Sequence, residues 1–198
     1  MEQLMNMFKI SAVSAIFAAT AAFSGAASAN VIGVKTVTIK QNAAAYYEAY
    51  LQVAEVVAIQ AGTGVDVALA SKGATALGSS NYPGASSASY AIDGSTFGGY
   101  PNIFHSAGGV NDMLTITFAS SYDLSGLSVF GRTDCCSYRD IYDVRFYDAA
   151  GSLLYTQLGA SANNAAHQAV VDVPEPGSLA LIAGGLLAAG ALRRRRQA

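Results

Sequence analysis

The chain has 198 residues, 52% of them hydrophobic and 12% charged, with a formal net charge of −2 at pH 7. That value hides an uneven distribution: four arginines sit at the extreme C-terminus, while residues 30–172 carry six basic side chains against eleven acidic ones, five net negative charges. A body with that balance lacks the basic surface that nucleic acid requires, which excludes it as a partner.

In chain order, residues 1–29 place Lys9 ahead of an apolar run and close on Ala27, Ser28 and Ala29. This is the pattern of a secretory signal peptide cut before Asn30, so the mature chain leaves the cytoplasm. Residues 30–172 then form one domain, long enough for a substantial core. Its signal has period two: residues 34–39 alternate as Val-Lys-Thr-Val-Thr-Ile, and 51–59, 114–118, 127–130, 144–147 and 169–173 are short, β-branched or aromatic runs between Gly, Ser, Asn and Asp clusters. Helical periodicity is weak, and strongest around residues 43–50. Residues 148–151 predict a hairpin turn in which Gly151 takes positive φ. The Ser, Gly and Ala-rich stretch 73–89 predicts a loop or an irregular edge. The expected fold is all-β, an antiparallel β-sandwich of jelly-roll type, flanked by an N-terminal signal helix and a C-terminal hydrophobic helix.

Polar chemistry gathers in one place. His105 is followed by Arg132, Asp134, Cys135, Cys136 and Arg139, which bring together two guanidinium forks, an imidazole, a carboxylate and both cysteines. Directed donors of this kind hold the hydroxyl oxygens of a small rigid polyol, with Asp134 fixing arginine geometry. The adjacent cysteines are open to three states: a vicinal disulfide, two buried thiols or an intermolecular bridge. Export favours oxidation. A hydrolase using Cys135 or Cys136 with His105 would need a base in reach and an oxyanion site, and no such motif accompanies them, so the pattern points to binding and not to an enzyme. Phe97, Tyr100 and Phe104 flank these residues and suit either stacking on a sugar ring or packing. His167 is assigned no role.

The stretch Ala91-Ile92-Asp93-Gly94, then His105, then Arg132-x-Asp134-Cys135-Cys136-x-x-Arg139 resembles the F-type lectins, the fucose-binding branch of discoidin-like, galactose-binding-like β-sandwiches. The resemblance implies that His105, Arg132 and Arg139 bind sugar hydroxyls, that Asp134 orients them, and that Cys135 and Cys136 form a vicinal disulfide against which the sugar packs. Residues 34–39 and 51–56 are similar to that family's last two strands, yet here they come first. This implies a circularly permuted domain, with residues 34–39 beside residues 169–173. Carried over in the same way, a structural calcium site draws side-chain oxygens from Glu55, Asp93, Ser95 and Asn102 and main-chain carbonyls from Ala54 and Tyr90, a hard oxygen set of the kind calcium takes. Ser95 stands where the family has Asn, and the loop before His105 is shorter.

Residues 173–198 hold Pro174, Glu175 and Pro176, an apolar stretch too short for a comfortable span, and Arg193, Arg194, Arg195 and Arg196. Together they resemble the PEP-CTERM sorting signal of Gram-negative bacteria, which implies recognition and cleavage by an exosortase and only a transient anchor in the inner membrane. The combined expectation is an exported, fucose-type carbohydrate-binding module sorted to an exopolysaccharide-rich, biofilm-forming cell surface or its matrix. A structural or adhesin protein of that matrix, with a degenerate sugar pocket, is the alternative.

Overall fold

The structure is a computed structural model that describes residues 30–42, 50–83 and 86–171. The expected signal peptide, most of the weak helical stretch near residue 43, and the sorting signal from Pro174 to Arg196 lie outside the described residues. Nine strands are described: β1 (Val31–Gln41), β2 (Gln52–Val53), β3 (Glu55–Gln60), β4 (Thr75–Gly78), β5 (Phe104–His105), β6 (Met113–Phe130), β7 (Ile141–Tyr147), β8 (Leu153–Ser161) and β9 (Gln168–Val171). All pairings are antiparallel, and the result is an all-β sandwich.

β6 organises it. Residues 114–117 lie between β1 and β4, and residues 127–130 between β3 and β9. The sequence divides this strand in two because Ser120, Ser121 and Asp123 read as a turn. The structure keeps the segment extended, since Val31 and Val34 of β1 pair across it with a register shift and the Asp123 carboxylate accepts the Gly33 N–H at 2.9 Å. The stretch 73–89 is also more regular than its composition suggests, because β4 pairs with β6 and so gains ladder hydrogen bonds that composition cannot signal. The strand expected over residues 51–59 is broken at Ala54 into β2 and β3, which belong to different sheets.

Alternation places Val34, Val37 and Ile39 of β1, Leu114, Ile116, Phe118, Leu124, Leu127 and Val129 of β6, and Tyr142, Val144 and Phe146 of β7 in one buried cluster. Each such side chain contributes roughly 1.5–3 kcal/mol by leaving water. The turn after β7 forms as expected: Gly151 has φ 82°, and the Asp148 carboxylate accepts the Ala150 and Ser152 N–H groups at 2.9 and 2.8 Å.

β1 does not pair side by side with β9, which corrects the expectation for residues 34–39 and 169–173. Leu124 pairs with both Gln60 and Val31, and Leu127 with both Ala58 and Val171. Since β3 holds one edge of β6 at both positions, Val31 and Val171 share the other edge, end to end. The two ends of the folded body therefore lie on the same edge of a single strand, opposite residues three apart.

Candidate functional site

Six side chains line a cavity of about 320 Å³: Tyr50, Tyr82, Tyr100, His105, Arg132 and Arg139. Three residues that the sequence grouped, His105, Arg132 and Arg139, thus converge from two distant segments.

Arg132 and Arg139 sit on the loop between β6 and β7. The loop is tied down along its length. Gly131 N–H donates to the His167 carbonyl at 2.8 Å, Arg132 N–H donates to the Asp140 carboxylate at 2.9 Å, and Thr133 donates twice to the Gly98 carbonyl. A one-turn helix, Ser137–Arg139, presents the second arginine, with Cys136 in the left-handed region before it at φ 63°. Asp134 holds Arg132 in a two-bond fork, Nε to Oδ1 at 2.5 Å and Nη2 to Oδ2 at 2.9 Å. That hydrogen bond raises the Arg132 pKa and lowers that of Asp134. The fork fixes the Arg132 guanidinium alone; it does not reach Arg139. The Arg139 guanidinium instead lies 5.3 Å from the ring centres of Tyr50 and Tyr138, within cation–π range, and burial lowers its pKa. Cys135 and Cys136 are joined in a vicinal disulfide, with the Cys135 side exposed. The cystine is not among the six residues that line the cavity, so the described wall is built from tyrosines.

His105 departs from its expected role. The sequence reads it as a sugar ligand through its imidazole, whereas it sits on β5 opposite Gln52 of β2 and is only 5% exposed. A carbonyl only accepts, so Nδ1 carries the proton and donates to Ser106 O at 2.8 Å, while Nε2 accepts from the Gln52 amide at 3.1 Å. Burial, helped by the charge of Arg132, lowers its pKa and keeps it neutral. Both nitrogens have protein partners. What His105 shows the cavity is its ring, packed among Tyr50, Tyr82 and Tyr100 at 5.2, 4.9 and 6.2 Å between centres.

Beneath the loop, Asp140 is fully buried. One oxygen takes the Arg132 N–H; burial pushes the carboxyl up to about 7, against the pull of that hydrogen bond, of the Tyr142 hydroxyl beside it and of the Arg132 and Arg139 charges. Tyr142, also fully buried, donates to the Gln52 carbonyl at 2.7 Å and so links β7 to β2, whose Gln52 side chain engages His105.

The residues carried over for calcium lie on one loop and one strand. Glu55 on β3 is fully buried, accepts Gly94 N–H through Oε2 at 2.9 Å, and leaves Oε1 without a partner. Burial and the neighbouring Asp93 and Asp66 push Glu55 up to about 8. Asp93 accepts the Ser95 N–H at 2.8 Å, while the Ser95 hydroxyl donates to Phe97 O at 2.9 Å. Gly98, tight against the Asn102 carbonyl, also lies next to the Ala54 side chain; Tyr90 belongs to the short helix Ala88–Ile92 before Asp93. An orphaned buried carboxylate oxygen beside a second carboxylate fits a hard cation held by Glu55 and Asp93. Ser95 does not fit as well, because its hydroxyl is already engaged. Among the described residues no three His, Cys, Asp or Glu side chains converge.

Tyr50 and Tyr82 are the lining residues that the sequence does not single out. Both are exposed or half-exposed tyrosines beside turn-rich chain, which is the available signal. Phe104, by contrast, is fully buried and packs the core.

Residues 172–196 match the PEP-CTERM protein-sorting motif. Neither the curated proteins nor the solved structures hold a match to the chain. The motif marks an exported protein, recognised by an exosortase through a C-terminal membrane-anchoring sorting signal. Among the described residues, no helix is long and apolar enough to cross a membrane.

Proposed function

We propose that this exported protein is a non-catalytic carbohydrate-binding module, F-type-lectin-like and fucose-like in preference, carried by exosortase sorting to an exopolysaccharide-rich surface. The observation that carries the reading is the cavity in which Arg132, Arg139 and His105 meet three tyrosines. Guanidinium groups donate to sugar hydroxyls, and the aromatic rings take the C–H face of a pyranose. Arg132 is pre-oriented by Asp134, which reduces the ordering cost of binding. His105 acts in this reading as a wall and spacer. Calcium, held by Glu55 and Asp93, would pin the Asp93–Gly94 turn; it supplies charge compensation to a buried carboxylate and takes no part in sugar chemistry. The placing of Val31 and Val171 on one edge of β6, opposite Leu124 and Leu127, supports a circular permutation, because ends that lie close together can be joined without rearranging the sheet.

One sugar contact of this size binds in the millimolar to micromolar range. The decisive variant is Arg132→Ala with Arg139→Ala, read on a glycan array. Loss of about a hundredfold in affinity is expected from removing two charge-assisted donors, and unchanged binding overturns the reading.

A second reading is a structural or adhesin protein of the biofilm matrix whose pocket no longer takes sugar. The occupied ring nitrogens of His105 favour it. Glycan specificity separates the two: selective binding supports the lectin, and its absence across the array supports the matrix protein.

A further inference from the structure

The aromatic side chains classed as exposed in the described body are Tyr82 (39%), Phe97 (79%), Tyr100 (41%) and Tyr138 (46%). All four belong to the cavity or its surroundings. Tyr82 and Tyr100 line it, the Arg139 guanidinium lies over the Tyr138 ring, and Phe97 is three residues from Tyr100, at most roughly 10 Å along the backbone. Exposed aliphatic residues are scattered instead, as Ile32, Val65, Leu77, Val110 and Val170.

A single exposed apolar residue means little by itself. Phe97 differs because the chain that carries it is fixed in place. Its carbonyl accepts the Ser95 hydroxyl at 2.9 Å, and the Gly98 carbonyl accepts both Thr133 N–H and Oγ1 at 2.9 and 3.0 Å. The Gly99 carbonyl accepts Asn102 N–H at 2.8 Å. A Cβ at Gly99 would overlap the Asp134 carboxylate, so its backbone rests against the group that orients Arg132. The backbone next to the most exposed aromatic residue is thus held against Thr133 and Asp134, beside the cavity's Arg132.

We propose that Phe97 is the platform for a second sugar ring, so that the site reads an oligosaccharide and not one isolated sugar. The inference rests on the sugar-binding reading above. The first ring occupies the cavity between the arginines and the tyrosines. The next leaves on the Asp134 side and lays its C–H face on the Phe97 ring, the kind of surface an aromatic face attracts. A preference for linked sugars follows from one pre-placed side chain, without new polar contacts.

The test compares methyl α-L-fucoside with 2′-fucosyllactose by calorimetry on the full chain, in wild type, Phe97→Ala and Phe97→Tyr. Wild type is expected to bind the trisaccharide about tenfold more tightly. Phe97→Ala should remove that advantage and leave the monosaccharide constant unchanged, and Phe97→Tyr should restore it. If the monosaccharide binds but the two ligands are equal in wild type, or the advantage survives in Phe97→Ala, the second-ring platform is overturned and the pocket stands. If neither ligand binds wild type, the sugar-binding reading fails and the platform fails with it.

Discussion

Asp140 and Glu55, the two buried carboxylates of the described body, have the same local plan and opposite surroundings. Each takes one backbone N–H at 2.9 Å through one carboxylate oxygen, from Arg132 and from Gly94. Asp140 faces Arg132 and Arg139, which pull against burial, and is pushed up to about 7; Glu55 faces Asp93 and Asp66, which add to burial, and is pushed up to about 8. The protein brings its own cations to the first carboxylate. The second has only acidic neighbours, the setting in which the proposed calcium would compensate charge. Two buried carboxylates with one backbone donor each are thus set apart by the charge of the side chains around them, basic for Asp140 and acidic for Glu55.

Calcium binding at Glu55 gives the largest expected effect. With calcium in hundredfold excess over its dissociation constant, the folded state gains roughly 2.7 kcal/mol, seen as a melting temperature several degrees higher. Glu55→Gln keeps an acceptor for Gly94 N–H and should abolish that response. A wild-type melting curve that calcium does not move would remove the metal from the account.

Asp140 gives a pH test. Its folded pKa, about 7, lies above the ordinary 3.8, so between those values the folded state holds a proton that the unfolded state has lost. Stability from this group is present at low pH and falls as pH rises through that window, by at most about 1.4 kcal/mol per pH unit. Asp140→Asn should flatten the fall, measured as the difference in melting temperature between wild type and variant from pH 4 to pH 8. Parallel curves would mean that Asp140 is not held as described.

Gly99→Ala is the smallest perturbation and the most local. The added methyl displaces the Asp134 carboxylate and releases Arg132 from its fork. Because Asp134 is exposed and the ion pair contributes only about 0–1 kcal/mol, stability should barely change, whereas sugar affinity should drop about tenfold through lost orientation. A calorimetric titration beside a melting curve checks both halves.

What the sequence revealed follows the range of the interaction involved. β1, the 148–151 hairpin and the two-arginine loop are local patterns, and they emerged where residues 34–39, Gly151 and Arg132 to Arg139 placed them. Residues 119–126 misled, because their Ser and Asp composition signals a turn while pairing with β1 keeps them extended. Tyr50 and Tyr82 join the cavity only through contacts between distant segments. Gln52 occupies the Nε2 of His105 through a two-residue pairing of β2 with β5, a register no periodicity announces.

The most direct measurement is a side-chain NMR titration of the full chain with methyl α-L-fucoside, following the Nε–H signals of Arg132 and Arg139. Both signals should shift together and saturate at one dissociation constant in the millimolar to micromolar range. Signals that stay still at saturating sugar would contradict the account at its centre.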